Sequence, residues 1–452
     1  MSKPANFDDT TRDWVRQAVF WQVFPLGFLG AEAQAGSATG VVHRLGGLHA
    51  WLDYAVELGA SGLLLGPVFA SSTHGYDTTD YFRIDPRLGD EADFAALIEA
   101  AHARGLRVVL DGVFNHVGRA FPAFQQVLRE GPGSASASWF RLTWPKNFQP
   151  GVEPGYANFE GHRQLVALNH DEAAVADHVV RVMNHWLDRG ADGWRLDAAY
   201  AMPPRFWKSV LPRVRAGHPG AYIFGEVIQG DYSKIVAETG FDSVTQYELW
   251  KAIWSSLKDR NFFELAWALD RHNKFLDSFA PLTFVGNHDV TRIASHISDE
   301  RHLPHALVVL LTCGGTPSIY AGDEQAFRGI KENRVGGDDA IRPAFPQSPA
   351  ELPPRGEPIF RLHQTLIALR KKHPWLHAAR IRILSKTNEQ LSYEVAGAGH
   401  RLLVALNLAD SAASLLAPGA HSVAAGKAAL VRTATPTALV EVPPHGWAIL
   451  EA

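Results

Sequence analysis

The sequence predicts an α/β fold: a parallel (β/α)8 barrel, interrupted after its third strand and followed by a separate all-β domain. Three observations carry this prediction. Eight short apolar runs alternate with amphipathic stretches between about residues 19 and 371. One connection, residues 117–170, holds little helical or strand period. Beyond residue 374 the texture changes to alternating, β-branched runs.

The apolar runs are 19–24, 62–69, 107–114, 193–197, 222–227, 243–247, 282–286 and 317–320. They are short and nearly continuous, as strands buried on both faces should be. The intervening helices show in their period and punctuation. Asp90 and Asp93 read as an N-terminal cap, Phe94, Leu97, Ile98 and Ala101 share one face, and Gly105 stops the helix. Val175, Val179, Val182 and Trp186 line another face, which Gly190 ends. Eight strands alternating with helices favour a closed barrel over an open, doubly wound sheet. The 117–170 connection is rich in Gly, Pro, Ser and aromatic residues, and its length marks a functional loop or a small inserted domain. The last helical pattern, 359–370, runs into Lys371-Lys372-His373-Pro374. Runs at 380–384, 391–396, 402–408, 429–432 and 439–450 then read as strands of a β domain. The expected division is 1–116 and 171–374 for the barrel, 117–170 for the insertion and 375–452 for the C-terminal domain.

Composition narrows the function classes. A chain of 452 residues, 46% hydrophobic and 20% charged, can bury a large core, which excludes disordered, collagen-like and disulfide-scaffold proteins. Lys+Arg 43 against Asp+Glu 47 leaves −4 with histidine neutral, no footprint for nucleic acid or an anionic membrane. The single cysteine, Cys313, cannot form an internal disulfide and fits a reducing compartment. The opening residues carry no apolar signal core, and no stretch approaches about 18 uncharged apolar residues. A cytoplasmic protein without nucleic-acid or membrane partners is the expectation. Thirteen Trp, 24 Phe and 21 His suit a large, uncharged, hydroxyl-rich ligand, although most aromatics simply build cores. There is no His-Glu-x-x-His, no cysteine pair and no phosphate-binding Gly-Lys-Ser/Thr loop, so neither a zinc enzyme nor a nucleotide enzyme is expected. His302 and His305 could pair on a helix, but no third ligand is assigned to them from the sequence.

In a (β/α)8 barrel the chemistry sits at the C-terminal ends of the strands. Here those ends are Asp111 to Asn115-His116 after the third strand, Arg195-Leu-Asp197 on the fourth, Gly225-Glu226 after the fifth and Asn287-His288-Asp289 after the seventh. A lone strand-end Asp is most often a helix cap. Three carboxylates with an arginine and two histidines at one mouth are not explained that way. Glycosidic cleavage needs one acid to protonate the leaving oxygen and one carboxylate to meet the positive charge on the anomeric carbon. Asp197 fits the nucleophile, with Arg195 on the same side of the strand to keep it ionised. Glu226 fits the acid/base, because the apolar run before it promises a dry setting that favours a carboxyl able to donate a proton. Asp289 then binds hydroxyls and stabilises the transition state.

These residues resemble the signature segments of the α-amylase family of glycoside hydrolases, in the family's order: Asp111 to His116, Gly193-Trp-Arg195-Leu-Asp197, Gly225-Glu226-Val and Phe284 to Asp289. Gly62 to Pro67, His74-Gly75-Tyr76-Asp77 and Gly315 to Glu324 extend the likeness over nearly the whole chain. The resemblance implies a catalytic barrel, a domain B in 117–170 and a C-terminal antiparallel β-sandwich. It implies Asp197 as nucleophile, Glu226 as acid/base and Asp289 as stabiliser, with Tyr76, His116, Arg195 and His288 lining the subsite left of the cut bond. Asp338 and Arg342 resemble the family's sugar-binding Asp–Arg pair.

Within the family the chain looks most like cyclomaltodextrinases and neopullulanase-like enzymes. Tyr200-Ala201 replaces the Lys-His that secreted α-amylases carry after the nucleophile. The first strand begins near residue 19, which leaves no room for the extra N-terminal domain through which that group dimerises, so a homodimer stays open. Cyclic maltosyl-maltose hydrolases share that shortened form. The loop from Leu26 to Gly36 has one carboxylate, too few for calcium, and although Asn115 matches a family calcium ligand, no cofactor and no metal is the expectation. The expected activity is hydrolysis, with retention, of α-1,4 bonds in short, cyclic or branched malto-oligosaccharides, with α-1,6 bonds as a second target. A transglycosylase or trehalose-synthase type of isomerase is the alternative on the same scaffold, and a non-catalytic barrel protein a remote one.

Overall fold

The computed structural model describes residues 10–36, 40–146, 148, 152–334, 336–431 and 438–452. The expectations for the opening nine residues, for Arg432 and for positions 147 and 149–151 of the insertion lie outside them.

Eight parallel strands form the barrel: β1 (Phe20–Val23), β2 (Gly62–Leu65), β3 (Arg107–Gly112), β4 (Gly193–Leu196), β5 (Tyr222–Gly225), β6 (Ser243–Val244), β7 (Leu282–Phe284) and β8 (Thr316–Tyr320). They follow one another as β6-β5-β4-β3-β2-β1-β8-β7. A parallel bridge from Thr245 to Leu282 joins the two ends of that order and closes the sheet. Each strand falls where an apolar run predicts it.

Side chains alternate between the two faces of each strand. Phe20, Leu64, Val109, Tyr222, Phe224 and Leu282 make an interior cluster. Their neighbours Trp21, Leu63, Val108, Trp194, Leu196 and Ile223 join the large core shared with the helices. Both faces are therefore dry, which is why the strands read as continuous apolar runs. Trp14 sits edge-on to Phe20 and Tyr222, with ring centroids 6.1 and 6.0 Å away, and closes the interior at one end. Toward the other end the same interior positions turn polar: Gln22 on β1, Asp111 on β3, Arg195 on β4, and Asp197 and Glu226 one step beyond β4 and β5, all buried.

The helix Glu91–Ala103 starts with the expected cap: Asp90 accepts from the Ala92 and Asp93 backbone N–H, and the Asp93 side chain accepts from that of Asp90. Helix Ala173–Leu187 buries Val175, Val179, Val182 and Trp186, again as expected. The insertion departs from its expected lack of period. It contains a helix, Pro122–Glu130, that buries Phe124 and Val127, three residues apart, and a three-stranded sheet of His116–Gly118, His162–Ala167 and Asn158–Phe159. After β2 a further antiparallel pair, Phe69–Ser71 with Thr78–Ile84, carries the turn bearing Tyr76. Gly75 stands in that turn at φ +91°, where a Cβ would also lie 2.8 Å from Pro67.

The C-terminal domain holds two antiparallel sheets. One is β9 (Arg380–Lys386), β10 (Gln390–Gly397), β11 (His400–Asn407), β13 (Ser422–Gly426) and β16 (Trp447–Glu451). The other is β12 (Ala413–Leu416), β14 (Ala429–Val431) and β15 (Leu439–Val442). Strand β11 shows how they stack. Leu402, Val404 and Leu406 pack into the barrel's core, while Leu403 and Ala405 meet Leu415, Val440 and Val442 of the smaller sheet. The expected run 439–450 is split, because Pro443 and Pro444 cannot donate ladder hydrogen bonds and turn the chain between β15 and β16. Among the described residues no helix is long and apolar enough to cross a membrane.

Candidate active site

Register builds the centre of the barrel mouth. Arg195 on β4 is paired directly with Asp111 on β3, and Leu196 with Gly225 on β5. Asp197 continues β4 through its N–H to the Gly112 carbonyl at 3.0 Å, and Glu226 continues β5 through its N–H to the Leu196 carbonyl at 2.9 Å. Three carboxylates from three adjacent strands thus surround one guanidinium. Arg195 Nη1 donates to Asp111 Oδ2 at 2.6 Å and to Asp197 Oδ1 at 3.3 Å. Its Nη2 lies 2.7 Å from Glu226 Oε1 and 3.9 Å from Asp289 Oδ2.

Glu226 has further anchors. The Ala198 N–H donates to Oε2 at 3.1 Å, and Tyr247 donates its hydroxyl to Oε1 at 3.1 Å. Asn287 in turn donates to the Tyr247 hydroxyl at 2.9 Å, which ties β7 to the acid on β5. Ala198 adopts φ +46°, an uncommon conformation for a residue with a Cβ, directly after Asp197. Strain of this kind at a functional residue is held by its surroundings, here by the bond to Glu226.

The electrostatics differ from the sequence expectation at Asp197. Burial first, and then the charge of Glu226, push its carboxyl well above the usual range, with Arg195 pulling the other way. The cause is visible in the distances: Arg195 spends its shorter contacts on Asp111 and Glu226. At Asp289 burial also acts to raise the pKa, but His288, Arg342 and Arg195 outweigh it and hold the carboxyl well below its ordinary value. Arg342 Nη2 donates to Asp289 Oδ1 at 2.7 Å, its Nε donates to the His288 carbonyl at 2.8 Å, and Asp338 Oδ2 sits 3.0 Å from Nη2. The Asp338–Arg342 pair is thereby joined to the site.

Both histidines are held at both ring nitrogens. Gln22 Nε2 lies 3.1 Å from His288 Nδ1, and His288 Nε2 faces Asp289 Oδ2 at 2.9 Å and the Tyr76 hydroxyl. Phe24 and Tyr76 both stack on that ring, with centroids 5.8 and 5.6 Å away. Asn115 donates to His116 Nδ1 at 3.1 Å, so Nε2 donates to the Tyr76 carbonyl at 3.0 Å. Burial keeps His116 neutral by lowering its pKa to about 3. His74 Nδ1 accepts from the Tyr76 backbone N–H at 3.2 Å, so its role is to shape the turn.

The cleft above these groups is lined by Tyr76, His116, Asp197, Glu226 and Asp289, together with Phe159, Glu160, Tyr200, Tyr247, Trp250 and Lys331. The structure therefore brings all nine expected site residues to one mouth, with Arg195 and His288 beneath the floor and Asp338 at the edge. It adds residues that spacing did not single out. Phe159 stacks on His116 with centroids 4.7 Å apart. Glu160, at φ +50°, accepts from the Tyr200 hydroxyl at 2.7 Å and bridges the insertion to the segment after β4. Of the insertion's aromatics, Phe140 is buried and Trp144 packs on Phe148, so Phe159 is the one that faces the cleft. Trp250 both lines the cleft and packs on Phe284. The Asn115 side chain is used to orient His116 through its amide nitrogen.

The arrangement can donate a proton to a leaving oxygen on one side and present a carboxylate to a developing positive charge on the other. Comparisons with known proteins agree with it. A model of the alpha-amylase catalytic domain matches residues 4–351. A cyclomaltodextrinase of Geobacillus thermopakistaniensis is 31% identical over 433 residues, 90% of this chain and 71% of that protein. Among solved structures, the native debranching enzyme of Nostoc punctiforme superposes with a TM-score of 0.84 at 28% identity, covering 100% of both chains. Cyclic alpha-maltosyl-(1→6)-maltose hydrolase of Arthrobacter globiformis, in complex with its cyclic sugar, gives 0.82 at 26% identity, again covering 100% of both.

Proposed function

Because the chain belongs to the alpha-amylase family and is a glycoside hydrolase of α-glucans, we propose that it cleaves short, cyclic or branched malto-oligosaccharides with retention at the anomeric carbon. The observation that carries the reading is the shared guanidinium: Arg195 meets Asp197 through one amino group and Glu226 through the other, at 3.3 and 2.7 Å. Two carboxyls on neighbouring strands, gathered around one guanidinium, suit a nucleophile and an acid/base.

In this mechanism Asp197 attacks the anomeric carbon while Glu226 protonates the departing oxygen. A glucosyl-enzyme ester forms, and Glu226 then takes a proton from the water that hydrolyses it. Before sugar binds, burial and the neighbouring Glu226 favour the protonated form of Asp197. The positive charge growing on the sugar stands against Asp197 and favours its ionised form. Asp289, held ionised by Arg342 and His288, accepts hydrogen bonds from hydroxyls of the bound ring. Tyr76 and the neutral His116 line the side of the ring. The Tyr200–Glu160 bridge and Phe159 narrow the cleft on the insertion side, which suits short or curved chains. The names of the similar proteins, a cyclomaltodextrinase and a hydrolase of a cyclic maltosyl sugar, support the same substrate class.

The test is a panel of maltotriose, a cyclodextrin, pullulan and long amylose, with the released anomer followed by proton NMR. Retention requires the α-anomer first, and the substrate reading requires faster turnover of the short and cyclic sugars. A β-anomer first overturns retention. Equal rates on amylose overturn the substrate class, and lengthened products assign transfer in place of hydrolysis.

A further inference from the structure

The two histidines that share a helix pattern, His302 and His305, are not each other's partners. His305 Nε2 is taken by the Asn407 and Gly446 carbonyls at 3.2 and 3.0 Å. His302 instead points across the seam between barrel and C-terminal domain, where its Nε2 lies 3.0 Å from His445 Nδ1, 143 residues away. Asp299 Oδ2 is 3.9 Å from the same His302 nitrogen, and the three ligand atoms lie within 4.8 Å of one another. We propose that Asp299, His302 and His445 form a binding site for a transition-metal ion of the zinc type.

The spacing fits. Ligand atoms around a tetrahedral ion with bonds of about 2.0–2.1 Å stand about 3.3 Å apart, so a small spreading of the two imidazoles admits the ion. The supporting groups fit as well. His445 Nε2 faces Asp410 Oδ1 at 2.8 Å, the carboxylate behind a histidine that directs its other nitrogen at a metal. Arg301 holds Asp299 through Nε and Nη2, at 2.9 and 2.7 Å, and fixes its direction. His445 is held at φ +52°, a conformation rarely adopted by residues with a Cβ, so the backbone is constrained where the ring is aimed. The His302 and His445 side chains are 1% and 7% exposed, while Asp299 is 30% exposed and leaves access and a fourth position to water. Two imidazoles and one carboxylate suit zinc, cobalt or nickel, not calcium or magnesium, which prefer oxygen alone. Among the described residues the other comparable triad is His43 with Asp90 and Asp93, whose two carboxylates are occupied by the helix cap.

The experiment uses the full chain, stripped with chelator and dialysed against zinc or cobalt. The expected result is one bound equivalent by elemental analysis and tetrahedral d–d absorption for cobalt. A rise of about 3 °C in Tm at a hundredfold excess over Kd is also expected. His445→Asn keeps tolerance for positive φ and should weaken zinc binding at least tenfold, and Asp410→Asn about 10–100-fold. His43→Ala should leave binding unchanged. Absence of a bound equivalent, binding unaltered in His445→Asn and Asp410→Asn, or loss in His43→Ala alone would each overturn the site.

Discussion

Asp197 carries opposite demands for stability and for chemistry, and Asp197→Asn separates them. Its side chain is 9% exposed and reaches Arg195 only at 3.3 Å. Burial and Glu226 raise its pKa well above 3.8. A carboxyl whose folded pKa lies above its unfolded value costs stability as pH rises past the unfolded value, and costs nothing below it, where both states are protonated. Asparagine keeps the shape and removes the charge, so Asp197→Asn should be more stable at pH 7. Relief of a buried, poorly compensated charge is worth about 1–4 kcal/mol. For a chain of 452 residues the unfolding entropy makes this roughly 1–4 °C in Tm. Differential scanning fluorimetry should show the gain at pH 7 and its disappearance near pH 3.8. Hydrolysis should fall on the order of 10⁴-fold or more, as for removal of a nucleophile, while maltotriose still binds. A lower Tm at pH 7 would mean that the Arg195 contact outweighs burial, and activity within tenfold of the parent would remove Asp197 from the mechanism.

Three other outcomes follow from the same geometry. Tyr200→Phe deletes the hydroxyl that donates to Glu160 at 2.7 Å and should raise KM for maltotriose about 2–10-fold, with kcat nearly kept, since a single hydrogen bond is worth about 0.5–1.5 kcal/mol; an unchanged KM in steady-state assays removes the bridge from the sugar's path. Arg370 donates to the buried carbonyls of Leu311, Cys313 and Gly315 at 3.1, 2.8 and 2.6 Å, so Arg370→Met should cost about 3–5 kcal/mol, read as a lower urea midpoint with activity per folded molecule unaltered. Burial lowers His116 and His377 to about 3 and His272, His305 and His363 to about 4. These are neutral when folded and charged when unfolded below pH 6.5, so stability should fall from there toward pH 4 by about 1.4 kcal/mol per pH unit for each. Asp323 and Glu324, raised by burial to about 6 and 7, act in the opposite direction, as do Asp111 and Asp197; with His178 and His296 also lowered to about 4 the histidines are more numerous, and a flat Tm between pH 6.5 and 5 would contradict the balance.

The barrel was legible because both faces of its strands are dry, so Leu63-Leu64-Leu65 or Val108-Val109-Leu110 needs no alternation to be recognised. The carboxylates were legible because a strand holds its interior positions two residues apart, which places Arg195 and Asp197 together. The C-terminal strands β12 and β13 were missed because Ala413 to Leu416 and Ser422 to Gly426 are short and poor in β-branched residues. The charge state of Asp197 was misjudged because sequence shows that Arg195 is near but not how its donors are divided. Tyr200 with Glu160, and His302 with His445, join residues 40 and 143 positions apart, and no local pattern encodes such pairs. Phe121, Phe124 and Val127 did carry a three-residue spacing that marks the helix of the insertion.

One cation serving four carboxylates also constrains how this site can change by descent. A substitution that removes Arg195 first leaves Asp111, Asp197 and Glu226 crowded together without their counter-ion. The same substitution made after Asp197 and Glu226 have become neutral removes little. The order of steps therefore matters more than their number, and a lineage leaving catalysis is expected to lose its acids before its arginine.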